Sequence, residues 1–324
     1  MTEKARKVLV MGGAGYIGSV LTRLLVERGY ETTVFDRLLF GTDSLSALEG
    51  SSNFRLIEGD LRHTAQVSTA IEGQDAVILL AALVGEPACN RDPRETVDVN
   101  YLGTLNVIEA ARYHGVSRLI FASTDSCYGL QEGILSEDSP LKPISLYAEL
   151  KRDVENRLLS VNGTGFSPTV LRLATVYGLS PRMRFDLIIN ILTMHAVKYG
   201  RIKIHGGRQW RPLVHVADAA RGFLAALEAP LVRVRHQVFN IGSNLQNYRI
   251  GQLGDLVAAA IPGVVIETID QPPDLRDYHV NFDKVSRILD YKVERTVADA
   301  VAEIAEVLRS GAIEDPLDPK YRNT

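Results

Sequence analysis

Cysteine is scarce in this chain. Only Cys89 and Cys127 occur in 324 residues, and no CxxC pair or cluster of metal ligands accompanies them. A disulfide framework and a thiolate zinc site are therefore not expected, and no metal is assigned. An excess of charge of one sign is lacking as well: 36 Lys and Arg stand against 39 Asp and Glu, a net charge of −3. That balance offers no footprint for nucleic acid or an anionic membrane surface, so neither is an expected partner. No apolar run is long enough to span a bilayer, and the polar residues 1–7 lead straight into a strand. Neither a signal peptide nor a membrane anchor is expected, and a reducing cytoplasm is the expected location. Internal repeats and low-complexity segments are missing too. What remains, 46% hydrophobic and 23% charged residues, is the composition of an ordinary globular protein.

What is present is an alternation. Lys7 to Met11 is a short apolar run ending at glycines, which predicts a strand buried on both faces. Ile17 to Arg28 follows with helical spacing and stops at Gly29. Further strands are predicted at Glu31–Phe35, Phe54–Ile57, Ala76–Leu80, Leu119–Phe121 and Thr169–Leu173, with helices at Tyr101–Tyr113 and Tyr147–Ser160. Strands alternating with helices imply βαβ units, a parallel sheet and helices on both faces. Past Gly178 the pattern turns irregular and proline-rich, apart from a strand at Val238–Gly242. The expected division is a nucleotide-binding domain over 1–178, joined by the strand near 236–242, and a smaller, partly interleaved lobe over 179–324.

The first turn reads Gly12-Gly-Ala-Gly-Tyr-Ile-Gly18, so Gly12, Gly15 and Gly18 satisfy G-x-x-G-x-x-G. Glycines there permit a tight turn, let the backbone approach a pyrophosphate and let the helix pack on the strand. Tyr16 and Ile17 begin that helix, whose N-terminus favours an anion. Asp36 ends the second strand, where an acidic residue binds adenosine ribose hydroxyls and repels a 2′-phosphate. NAD is therefore the expected cofactor, with Arg37 next door keeping NADP open. Asp60 and Leu61 follow the third strand, and Leu80, Ala81 and Ala82 end the fourth, where a flat ligand can lie on the sheet edge. Asn100 is read either as a cofactor contact or as a plain helix cap. Tyr147 and Lys151 lie four residues apart and share a helix face. A lysine beside a tyrosine favours the phenolate, a group that can take a proton from a sugar hydroxyl.

In this order, the glycine loop, Asp36, Asp60-Leu61, Ala81-Ala82, Asn100, Ser123-Thr124 and Tyr147-x-x-x-Lys151 resemble the extended short-chain dehydrogenases/reductases over essentially the whole chain. The likeness is to the nucleotide-sugar epimerases and dehydratases. It implies an α/β fold, a doubly wound parallel (Rossmann) sheet with a smaller mixed C-terminal substrate lobe. It also implies Tyr147 as base, Lys151 as ribose ligand and pKa modulator, and Thr124 as the hydroxyl that bonds the reacting sugar oxygen. Dehydratases carry Thr-Asp-Glu at 124–126; here Asp125 is present, but Ser126 replaces Glu. Asp125 is therefore a catalytic candidate and Ser126 a substrate contact, and dehydration ranks below epimerisation and oxidation. The resemblance further implies substrate contacts at Arg182, Arg184, Asn190, Arg211 and Arg276, the arginines suiting a diphosphate by their planar fork. The segments Ala81–Gly85, Pro143–Ser145, Arg172–Val176 and Ser180–Arg184 look most like the GDP-mannoheptose 4-dehydrogenases. A homodimer is expected from the relatives. The implied activity is NAD-dependent oxidation or epimerisation at C4 of a nucleoside-diphosphate sugar through a 4-keto species. A rival reading is an inactive protein that senses NAD.

Overall fold

The computed structural model describes residues 6–161, 165–269 and 277–323. Its frame is a seven-stranded sheet. Strands β1 (Lys7–Met11), β2 (Glu31–Asp36), β3 (Phe54–Glu58), β4 (Ala76–Leu79) and β5 (Arg118–Thr124) are joined by strands at Ser167–Leu173 and Gln237–Ile241. All neighbours run parallel, in the order Gln237–Ile241, Ser167–Leu173, β5, β4, β1, β2, β3. This is the doubly wound architecture the alternation predicts. β1 coincides with its apolar run, and the other strands of this sheet differ from theirs by one to three residues at their ends.

The apolar run of β1 is continuous because both faces are covered. Val8 and Val10 join one core with Leu21, Leu25 and Phe223, while Leu9 and Met11 join the other with Val107, Ile108, Val154 and Leu158. Truncating any of the larger of these side chains, Leu9, Met11, Leu21, Leu25, Ile108, Leu158 or Phe223, to alanine costs about 2–5 kcal/mol. The sheet order reverses between β1 and β4, and the loops leaving these two strands diverge there, opening a crevice at their C-terminal ends.

One helix begins later than its periodicity predicts. Asp98–Gly103 forms a wide i→i+5 turn, and regular helix runs only over Thr104–Tyr113. Asn100 is buried there, with Oδ1 accepting from the Leu83 amide at 2.7 Å and Nδ2 donating to the Leu83 carbonyl at 2.8 Å. That clamp holds the turn against the loop after β4, a cost-offsetting bond that a cap would not supply.

The remaining strands form small sheets. Leu213–His215 pairs in parallel with Thr175–Tyr177, and Trp210–Pro212 pairs antiparallel with Asn247–Arg249. Arg201–His205 pairs in parallel with Val265–Ile269. A separate core of Ile189, Leu192, Ile202, Ile204, Leu253 and Val301 lies beneath them. No helix among the described residues is long and apolar enough to cross a membrane.

Candidate active site

A cavity of about 350 Å³ occupies the crevice beyond β1 and β4. The helix α1 (Tyr16–Glu27) aims its N-terminus at it, with Gly15 as cap. The glycines are required by contact as well as by conformation. Gly12 has φ of +86°, and a Cβ there would meet the Ala81 amide nitrogen at 2.6 Å; a Cβ on Gly18 would strike the Gly12 carbonyl. Side chains at either position would push β4 and α1 away from the loop. The amides of the first turn of α1, which have no partner within the helix, are thereby offered to the cavity.

At one end of the cavity stands Asp36. Its Oδ2 accepts from the Ala14 amide at 3.0 Å and its Oδ1 from the Leu38 amide at 2.9 Å, leaving further lone pairs for hydroxyl donors. Burial raises its pKa above the usual carboxylate value, partly offset by those amides. Arg37 is turned aside: it lies 3.4 Å from Asp60 and 3.0 Å from Glu95. Its charge is matched there, which leaves Asp36 to set the preference against a 2′-phosphate. Burial opposes ionisation of Asp60, but the bonds and charge of Arg62 hold its pKa below the usual value. Gly12, Gly15, Tyr16, Ile17, Gly18, Asp36, Arg37, Asp60, Leu61, Leu80, Ala81 and Ala82 all line the cavity. A loop whose glycines cannot carry a Cβ, an open helix N-terminus and a carboxylate at one end fit a dinucleotide.

At the other end the helix Leu146–Ser160 starts at Ser145, whose hydroxyl accepts from the Ala148 amide at 3.4 Å. Tyr147 and Lys151 share the face turned to the cavity, and Thr124, at the last position of β5, reaches the same space. Lys151 is almost fully buried and donates to the Ala122 carbonyl at 2.8 Å. Burial pushes its pKa down to about 8. The Tyr147 phenol departs from the expectation. Burial raises its pKa above the ordinary value, and the cation that pulls it down is Arg184. Lys151 lies 5.8 Å from the Tyr147 ring centre. Desolvation of the phenolate is the largest influence on that hydroxyl.

Four residues proposed from the sequence do not line the cavity. Asn100 acts on it through Leu83, as described above. Asn190 is sealed: its Oδ1 accepts from the Gly178 amide at 2.9 Å, and its Nδ2 donates to the Arg184 carbonyl at 2.8 Å and to Tyr16 Oη at 3.1 Å. It is a staple for the segment after Gly178, because its amide satisfies two backbone groups of a turn that has no ladder and ties them to the Tyr16 hydroxyl. Arg211 is buried, donates to the Trp210 carbonyl at 2.9 Å and lies over the Tyr278 ring. Asp125 is buried to 1% exposure and faces Arg172, Glu137 and Glu155 instead of the cavity. Asp125 begins the short 3-10 turn that follows β5, and that turn carries it away from the cavity that Thr124 lines. Arg276 lies outside the described residues.

Ser126, Arg182 and Arg184 do line the cavity. So do residues that no motif singled out. Tyr278 places its hydroxyl 3.4 Å from that of Ser126. Asn323 reaches in from the C-terminal segment, which donates from the Asn323 amide to Asp186 at 3.4 Å. Phe40 and Val84 complete the walls near them. Tyr278 follows a segment rich in charge and proline, the one local signal available; Asn323 has none.

Residues 8–242 match the model of the NAD dependent epimerase/dehydratase family. A UDP-glucose 4-epimerase from Corynebacterium glutamicum is 31% identical over 271 residues, covering 77% of this chain and 79% of its own length. A dTDP-glucose 4,6-dehydratase from Streptomyces griseus is 31% identical over 307 residues, covering 91% and 92%. Among solved structures, UDP-glucuronic acid 4-epimerase from Bacillus cereus, in complex with UDP-glucuronic acid and NAD, superposes with a TM-score of 0.84 at 25% identity, over 94% of this chain and 99% of that one.

Proposed function

This chain belongs to the NAD-dependent epimerase/dehydratase family, and from that premise we propose that it oxidises C4 of a nucleoside-diphosphate sugar to a 4-keto species, as a 4-epimerase or 4-dehydrogenase. The observation that carries this reading is the convergence of Thr124, Tyr147 and Lys151 on the cavity that the glycine loop and Asp36 build from its other end. NAD bound along that loop supplies the hydride acceptor for C4.

The chain's own residues do the rest. The amides at the start of α1 meet the pyrophosphate, and Asp36 accepts the adenosine ribose hydroxyls. Thr124 bonds the sugar O4, and Tyr147 takes its proton. Arg184 is the cation that lowers the phenol's pKa against its burial, and Lys151 binds the nicotinamide ribose beside it. Ser126 and Tyr278, whose hydroxyls lie 3.4 Å apart on the cavity wall, contact the sugar. Dehydration requires an acid and a base facing the sugar beyond C4. Ser126 is a poor base and Asp125 faces away, which supports epimerisation or ketone release over water loss. The likeness to GDP-mannoheptose 4-dehydrogenases supports ketone release. We assign 1–178, with the strand at Gln237–Ile241, to the cofactor and the rest of 179–324, partly interleaved, to the substrate; the protein to the cytoplasm; and the helices at Thr104–Tyr113 and Leu146–Ser160 to a homodimer contact, supported by Tyr113 at 84% exposure.

The test is a product assay by mass spectrometry, with UDP-, GDP-, CDP- and dTDP-sugars, with and without added NAD. Unchanged mass with altered chromatography identifies an epimerase. Loss of two hydrogens matched by NADH identifies a dehydrogenase. Loss of one water overturns the ranking in favour of dehydration, and no reaction with any sugar contradicts the proposed reaction.

A further inference from the structure

Among the described residues, Arg182 is the arginine of this cavity that forms no ion pair. Four cationic side chains line the cavity among the described residues: Arg37, Lys151, Arg182 and Arg184. Arg37 is paired with Glu95 and Asp60, and Arg184 is held bidentately by Asp186 at 2.9 and 2.6 Å. Lys151 is bonded to the Ala122 carbonyl. Arg182 is 5% exposed, yet its Nε and Nη1 are buried with no hydrogen-bond partner. Its Nη2 makes only a long contact, 3.4 Å, to the Arg322 carbonyl. Burial, with repulsion from Arg184, brings its pKa down to about 10. An unpaired buried cation is costly unless something completes it.

Its position says what completes it. The segment carrying Arg182 is bolted to the start of α1. Tyr16 Oη donates to the Gly178 carbonyl at 2.6 Å, Ser180 Oγ donates to the Tyr16 carbonyl at 2.6 Å, and Ser19 and Ser180 share a hydroxyl contact at 3.1 Å. The guanidinium lies 3.6 Å from the centre of the Phe40 ring, in the loop after β2, and its charge acts on Asp36. Phe40 and Asp36 belong to the cofactor end of the cavity. Two residues on, Arg184 acts on Tyr147 at the other end.

The geometry points to Arg182 as the arginine that closes over the cofactor's diphosphate, reaching from the substrate segment to grip an anion seated on the N-terminus of α1. The unpartnered N–H groups on Nε and Nη1 lie on different edges of the guanidinium, so each can donate to a separate oxygen of the diphosphate. The sequence resemblance assigns it instead to the substrate, whose diphosphate shares this chemistry. The inference rests on the proposed use of NAD.

Calorimetric titration of the full chain, freed of bound nucleotide, separates the sources. Arg182→Gln is expected to weaken NAD binding about ten- to hundredfold while leaving adenosine unchanged, because adenosine has no phosphate. UDP and GDP, titrated into the NAD-saturated protein, are expected to bind parent and variant alike. Ligand-free Arg182→Gln is expected to melt no lower than the parent, since it loses an unpaired buried charge. A loss for UDP or GDP with NAD unaffected overturns the inference and gives Arg182 to the substrate. Equal losses for NAD and adenosine with a lowered melting temperature make it structural and also overturn the inference. No binding of NAD by the parent overturns the proposed cofactor use itself, whereas parent-like NAD affinity in the variant overturns this inference alone.

Discussion

The two sides of the end of β5 use similar residues to opposite ends. On the cavity side, Thr124, Tyr147, Lys151 and Arg182 keep donors or acceptors that the protein leaves available to a ligand. On the sealed side, Glu155 accepts from Arg172 at 2.7 and 3.1 Å and from Ser123. Arg172 also donates to Tyr128 Oη at 3.0 Å, and that hydroxyl donates to Asn240 at 2.8 Å. A saturated buried network holds a fold, while an unsaturated one beside a cavity awaits a ligand. Asp125 breaks the pattern, because it is both sealed and unsaturated. Burial raises its pKa well above the ordinary value, with Glu137 and Glu155 adding to the rise and Arg172 opposing it.

Substitutions on the two sides are expected to fail in different ways. The largest effect belongs to Tyr147→Phe, in which turnover of the accepted nucleotide sugar falls about 10²–10⁴-fold while NAD affinity stays within about threefold. Glu155→Gln comes next, on stability: it leaves the buried Arg172 without a counter-charge and lowers the unfolding free energy by about 3–5 kcal/mol in a urea titration. Pairing it with Arg172→Met should restore much of that loss, which would sharpen the view that the network shapes the fold and not the reaction. Thr124→Val removes one hydrogen bond to a charge-developing oxygen and should cost about ten- to hundredfold in turnover with little change in melting temperature.

Asp125→Asn carries the smallest effect on activity and the clearest dependence on pH. The folded protein holds the Asp125 proton more tightly than the unfolded chain, whose carboxyl keeps its ordinary value of 3.8. The stability this confers is full below about pH 4 and is lost as pH rises toward the folded value. Asparagine does not titrate, so the variant should gain on the parent between pH 4 and pH 8 in unfolding experiments. A constant difference across that range would mean that Asp125 is ionised or solvated in the folded state.

The cofactor half was readable because its signals are local. A run such as Val8–Met11 is apolar on both faces only where both faces are covered, and Gly12 and Gly18 stand where a Cβ does not fit. Tyr147 and Lys151 share a face by spacing alone. Side-chain direction at irregular positions was not readable. Asp125 sits one residue past a strand and turns inward with a short 3-10 turn. Asn190 and Arg211 are polar residues on buried elements, and sequence does not separate a staple from a ligand contact. Tyr278 and Asn323 reach the cavity only because distant segments close around it, and Arg182 and Arg184, two residues apart, serve opposite ends of it.

The most direct test is kcat for Tyr147→Phe and Asp125→Asn in one assay, with the nucleotide sugar that the parent converts. The cavity face carries the reaction if Tyr147→Phe loses at least about a hundredfold while Asp125→Asn stays within about threefold of the parent. Comparable losses in both, or the larger loss in Asp125→Asn, would contradict the division between an open reacting face and a sealed structural one.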